Sequence, residues 1–95
     1  MYSRMMIMEA VAEKQVQQVV EMLSTHACTH SLDARIEREE DGAMVIFQTT
    51  HATHEDLVNY HCGRAYRALV AAVSSLLLGD PVVKRFELIE KTVSV

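Results

Sequence analysis

Residues 4–24, RMMIMEAVAEKQVQQVVEMLS, decide how the rest of the chain is read. Met, Ala, Glu and Gln all favour helix, so one helix through the whole stretch is the first possibility. Advancing about 100° per residue tests it. From Ala12 onward the apolar positions gather on one face, Ala12, Val16, Val19, Val20, Leu23 and Ala27, with Glu13, Lys14, Gln17 and Glu21 opposite. Continued backwards the same wheel fails, because Glu9 falls on the apolar face while Met6 and Ile7 fall among the charges. The stretch therefore divides into a buried strand, residues 4–11, and an amphipathic helix, residues 12–24.

The remaining elements follow outward from that division. Residues 32–39 alternate, with Leu32, Ala34 and Ile36 on one side and Asp33, Arg35 and Glu37 on the other. Residues 43–50 open with Ala-Met-Val-Ile-Phe, apolar on both faces. Between them Glu40-Asp41-Gly42 is a hairpin signal, and the charged run 37–41 reads as its solvated tip. Residues 54–78 are helical with an interruption at Gly63, and Gly79-Asp80-Pro81 ends that helix. Residues 25–31 and 49–53 read as turns, and residues 82–95 mix strand formers with charge. The order is β-α-β-β-α-β, an α+β ferredoxin-like sandwich with an antiparallel sheet, in one domain over residues 1–95. Its first and third strands are central and its second and fourth are edges. The composition agrees: MMIM and AMVIF are dry, whereas LDARIERE and VVKRFELIEK carry the charge that edges need.

Ninety-five residues hold one core, near the low end of what folds unaided. Aromatic residues make up only 5% and Trp is absent, so aliphatics and Met build an adaptable core with few large anchors. Two cysteines cannot form a disulfide framework, which leaves a partner as the source of extra burial. A net charge of −4, with no basic cluster larger than Lys84-Arg85, argues against a phosphate-backbone binder. The opening 14 residues are interrupted by Glu9 and make no signal peptide, and residues 68–78 reach about half a membrane span. The expectations are no nucleic acid, no membrane, and a cytoplasmic location with Cys28 and Cys62 as thiols. In the second helix Leu69, Ala72, Val73 and Leu76 form one stripe, while Val70, Ala71, Leu77 and Leu78 lie off it. Such a surplus marks an interface, here that of a homodimer, with residues 91–95 reaching across to the second subunit.

Residues 53–89 read THEDLVNYHCGRAYRALVAAVSSLLLGDPVVKRFELI. They contain a short helix ending at His61, a break at Cys62-Gly63, Tyr66 in the turn, a second amphipathic helix, and a closing strand after Gly79-Asp80-Pro81. This pattern resembles the antibiotic biosynthesis monooxygenase family, a branch of the dimeric α+β barrels. The hydrophobic first strand, the helix starting near Glu13 and the turn at Cys28 follow the family more loosely. Members commonly carry a Trp near the end of the third strand, where this chain has Thr49-Thr50. It also lacks the Asn-Trp-His set of the haem-degrading relatives, which disfavours haem degradation. The resemblance implies a homodimer whose two sheets meet as a barrel, with an apolar pocket between sheet and helices in each subunit. It also implies conversion of a small apolar or aromatic compound without any cofactor; known relatives oxidise quinols or isomerise small signalling molecules.

On that resemblance His61 occupies the place of a pocket-facing histidine. An imidazole titrating near neutrality suits a base that deprotonates a phenol or quinol, with Tyr66 as an orienting hydroxyl. The alternative role for His61 is to cap the broken turn. Met6, Met8, Phe47, Leu69 and, at the rim, His51 would line the substrate, or would simply be core. Thr53 is the expected helix N-cap ahead of Glu55 and Asp56, rather than His54. Last, His26-x-Cys28-x-His30 on an extended segment would present three ligands that zinc or copper accepts, with His51, His54 or Cys62 as a fourth. Three readings result: a monooxygenase-like enzyme, a non-catalytic dimeric module that binds a small ligand or a protein, and a metal-binding domain.

Overall fold

Strands β1 (Tyr2–Glu9), β2 (Asp33–Arg38), β3 (Met44–His51) and β4 (Val82–Glu87) alternate with helices α1 (Val16–Thr29), α2 (His54–His61) and α3 (Arg64–Ser74). The structure is a computed structural model and describes residues 1–89. The expected reach of residues 91–95 to a second subunit lies outside the described residues. The strands form one antiparallel sheet in the order β2-β3-β1-β4. The ferredoxin-like arrangement is therefore as expected, with the two dry strands central and the charged ones at the edges.

Strict alternation divides the sheet into two faces. Arg4, Met6 and Met8 of β1 and Val45, Phe47, Thr49 and His51 of β3 are buried. Against them α1 sets Val16, Val19, Leu23 and His26, and α3 sets Tyr66, Leu69 and Val73. Each fully buried large apolar side chain contributes about 1.5–3 kcal/mol through removal from water. The other face carries Met5 and Ile7 beside Met44 and Ile46, all half-buried, and no helix of the described residues covers it. Register continues it into β4, where Ile7 lies opposite Val82 and Ser3 opposite Phe86.

Three boundaries differ from the sequence reading. First, α1 starts after a 3-10 turn at Glu13–Gln15 and runs to Thr29, through the expected turn at 25–31. His26 carries it onward by packing its ring edge on Phe47 at 6.2 Å. The helix then stops at Ser31, in the left-handed region at φ 51°, where Leu32 N–H bonds Ala27 O at 2.9 Å and Ser31 N–H bonds Cys28 O at 3.3 Å. This is a Schellman stop without its usual glycine, so no sequence marker announced it. Second, α3 ends at Ser74 rather than Leu78. Val11 N–H bonds Leu76 O at 2.8 Å and Leu78 N–H bonds Glu9 O at 2.7 Å, so the last leucines leave the helix to pair beside β1. Third, the buried stripe of α3 is Tyr66, Leu69 and Val73, continued by Leu77, whereas Ala72 is exposed. Less apolar surface remains on α3 than the sequence implied, and more on the open face of the sheet. Thr53 caps α2 as expected, its hydroxyl accepting Asp56 N–H at 3.1 Å. No helix of the described residues is long and apolar enough to cross a membrane.

Candidate functional site

Between the sheet and α2–α3 the core turns polar and aromatic. The charge at its centre is Arg4, which β1 holds in phase with Met6 and Met8 and which has no exposed surface (0%). Its Nε donates to His61 Nδ1 at 2.9 Å, and its Cζ lies 3.9 Å from the centre of the Tyr66 ring. That is close cation–π stacking. His61 closes α2 and Tyr66 lies in the first turn of α3, so the Cys62-Gly63 break lets their rings stack, centroids 5.4 Å apart and 25° from parallel. Tyr66 hydroxyl in turn donates to Met6 Sδ at 3.7 Å.

A second group of rings adjoins the first. Tyr60 lies 5.6 Å from Tyr66 and 5.3 Å from His51. Its hydroxyl is 2.9 Å from His26 Nε2, and His51 Nε2 is 2.9 Å from Thr49 Oγ1. Burial pushes the Tyr60 phenol up to about 12, against the opposing pull of Arg4, so this hydroxyl stays neutral. Burial lowers all three imidazoles, His26, His51 and His61, below 6.5. Arg4 and Arg85 push His61 further down. His30 adds to the effect on His26, and Asp56 partly opposes it at His51.

These shifts have a pH consequence. A histidine whose folded pKa is depressed binds fewer protons folded than unfolded, so it favours folding above about pH 6.5 and loses that contribution as pH falls toward its folded value. All three shifts have this sign. The melting temperature is therefore expected to fall steadily from pH 7 to pH 5, and more shallowly in His26→Gln. A flat profile in the wild type would show that these rings are not held neutral.

The structure brings together His61, Tyr66, Met6 and His51 from the sequence expectations around Arg4 and Tyr60, and Phe47 adjoins them through His26. Met6, Met8 and Phe47 are core residues at 0%, 1% and 0% exposure. The space beside His61, where an apolar pocket was expected, holds the Arg4 guanidinium and the Tyr66 ring. Leu69 instead borders a groove of about 820 Å³ between α1 and α3, shared with Met22, His26, Ala65 and Ala68. A smaller groove of about 210 Å³ opens between α2 and β4, lined by Tyr2, His54, Leu57 and Arg85.

The His26-x-Cys28-x-His30 arrangement is overturned. Residues 26 and 28 lie in α1, where a two-residue step turns about 200°, so Cys28 points away from His26. Among the described residues no group of three His, Cys, Asp or Glu side chains could hold a metal ion. His26 and His30 instead pack ring to ring at 4.8 Å. Arg4 and Tyr60 are the members that the sequence reading missed as site residues. Arg4 was legible in principle, because its spacing from Met6 and Met8 puts a charge on the buried side of a central strand.

No family model matches the chain, and no curated protein matches it in sequence. Solved structures match it in shape. The monooxygenase from the gene ActVA-Orf6 of Streptomyces coelicolor, in complex with nanaomycin D, superposes with a TM-score of 0.81 at 18% identity, over 99% of this chain and 92% of that one. A Deinococcus radiodurans protein described as an antibiotic biosynthesis monooxygenase gives 0.84 at 9% identity, over 100% and 99%. A Nitrosomonas europaea protein of unknown function gives 0.74 at 15%, over 99% and 94%. At these identities the likeness is one of fold. Element order, sheet order and the broken second helix agree with it: this chain has the ferredoxin-like α+β fold of the antibiotic biosynthesis monooxygenases.

Proposed function

We propose that the protein is a cofactor-independent, monooxygenase-like dimer that oxidises a small phenol or quinol, with His61 as base and Tyr66 as its support. The observation that carries this reading is the Arg4–His61–Tyr66 stack, which keeps a neutral imidazole in contact with a fixed cation. A substrate hydroxyl that displaces Arg4 Nε from His61 Nδ1 meets a lone pair for its proton and a guanidinium for the phenolate left behind. The anion then has the electron density to react with oxygen at a ring carbon. For 1-naphthol the overall change is C10H8O + O2 → C10H6O2 + H2O, in which the ring gives up two hydrogens and gains one oxygen as a quinone. Met6, Met8, Phe47, Leu69 and His51 would supply the walls once the rings part. The fold shared with a monooxygenase that holds a ligand supports a small-molecule occupant. Free, exposed Cys28 and Cys62 fit a reducing, cytoplasmic setting.

The test is oxygen uptake with 1-naphthol and a quinol panel, followed by quinone absorbance. Steady uptake with quinone formed one-to-one supports the enzyme. Melting shifts with no uptake across the panel would leave the non-catalytic binding module. Thr49-Thr50 in place of the family's Trp, and a His61 lone pair already occupied by Arg4, favour that second reading.

The dimer we infer closes the uncovered sheet face, where Met5, Ile7, Met44 and Ile46 would meet a second copy. Such a face lies dry in the two-sheet packing of β-sandwiches at about 10 Å separation. Ile7→Lys is expected to convert a dimer at micromolar concentration into a folded monomer by sedimentation. A wild type that already sediments as a monomer would remove the barrel.

A further inference from the structure

Arg4 carries a charge that nothing described in the chain balances. A guanidinium cannot lose its proton inside a protein, so it has no escape of the kind open to a buried lysine. Its Nε is bonded to an uncharged imidazole and its face lies on a neutral phenol ring. Nη1 and Nη2 are both buried and have no hydrogen-bond partner among the described residues. The ion pair found among the described residues, Arg35 with Glu37, lies away from this site on edge strand β2.

A second observation points the same way. Register puts Arg85 of β4 directly opposite Arg4, so the two side chains leave the same face of adjacent strands. Like charges in that relation repel, and Thr49, on the β3 side of Arg4, brings no charge. The carboxylate on this face of β4, Glu87, is opposite Tyr2 and exposed. Two cations, one of them fully buried, therefore lie side by side, and Glu87, which lines the groove next to Arg85, forms an ion pair with neither among the described residues. Arg85 also lines the groove between α2 and β4, and Leu57 of that groove lies one turn before His61. Arg4 itself has no exposed surface, so a ligand that pairs with it must part the His61 and Tyr66 contacts that enclose it.

We propose that Arg4 and Arg85 form a carboxylate-binding site, and that its ligand is a small aromatic acid. The paired Nη atoms of a guanidinium match the two oxygens of a carboxylate. The flat neighbours Tyr66, Tyr60 and His61 suit an aromatic body attached to it. Arg85, at the groove, supplies the second positive contact. The proposal concerns binding alone and holds whether or not the protein turns anything over.

The experiment compares 1-hydroxy-2-naphthoate with its methyl ester by calorimetry and by melting temperature, on the full chain at pH 7.5. Wild type is expected to bind the acid roughly 10-fold or more tighter than the ester, the range for hydrogen bonds to a charged group. Arg4→Met, which fills similar space without charge, should abolish that preference. It should also raise the melting temperature of the ligand-free protein, since it removes an uncompensated buried charge. A lower melting temperature, or a failure to fold, would show that the chain itself satisfies Arg4 and would overturn the proposal. Arg85→Met, at an exposed position, should weaken acid binding several-fold and leave ester binding unchanged; equal acid affinity would also overturn it. So would inorganic phosphate stabilising the protein as well as the aromatic acid does. Oxygen uptake is read separately, so loss of either idea leaves the other to be judged.

Discussion

Phe47→Ala is expected to destabilise the fold by about 3–5 kcal/mol, the range for deleting a fully buried Phe. The ring has no exposed surface. It sits on β3 opposite Met6 of β1 and Ile36 of β2, with His26 of α1 edge-on above it. Three strands and a helix therefore lean on one side chain. The neighbouring His26 ring is tied to the Tyr60 hydroxyl at 2.9 Å, which holds it back from filling the gap, so most of the cavity persists. Domains of this size have about 5–15 kcal/mol in total, and each kcal/mol moves the melting temperature by about 4–8 °C. A drop of roughly 15 °C or more is the outcome to look for, in a thermal melt supported by urea titration with an unchanged slope. Phe86, exposed on edge strand β4, is the internal control: Phe86→Ala should cost the monomer less than about 1 kcal/mol. Equal effects at both positions would mean that the core is not where the burial pattern places it.

The contrast between those two phenylalanines shows why the fold could be read from the sequence. Sheet order followed from charge: strands that must be covered are apolar, and edge strands carry Arg, Lys and Glu. The helix wheel separated strand from helix because Glu9 cannot be buried on a helix face that Val16 and Leu23 require. What failed was set by long-range contact. Apart from Ala27, Thr25-His26-Ala27-Cys28-Thr29 is made of weak helix formers; the helix continues through it with His26 packed on Phe47 and Tyr60. Leu76 to Leu78 look helical in isolation but pair beside residues 9–11. The candidate site shows the same division. His61 and Tyr66 were reached through the family resemblance, whose pattern includes the helix break between them. Arg4 lies 57 positions before the histidine it touches, and no spacing in the sequence links the two. Its phase with Met6 and Met8 was the one available clue, hidden by an otherwise apolar strand.

The largest expected effect on activity falls at His61. If it is the base, His61→Ala should lower kcat/KM for 1-naphthol by about 10²–10⁴, the range for loss of a positioned general base. Ala would also release Arg4 Nε, so a fall in rate alone could come from a displaced guanidinium. His61→Asn separates the two, since its side-chain oxygen can accept the Arg4 hydrogen bond but cannot take a proton. It should melt near the wild type and be as inactive as the Ala variant. The pH profile gives an independent reading. Burial, Arg4 and Arg85 all lower the His61 pKa, so the imidazole is already neutral at pH 7 and the acid limb of kcat/KM should lie below 6.5. Removing the Arg4 charge by Arg4→Met takes away one of those causes, and the limb should move up toward 6.5 in whatever activity remains. A limb that stays in place, together with an active His61→Asn, would assign the proton transfer to another group and leave His61 as a prop for the arginine.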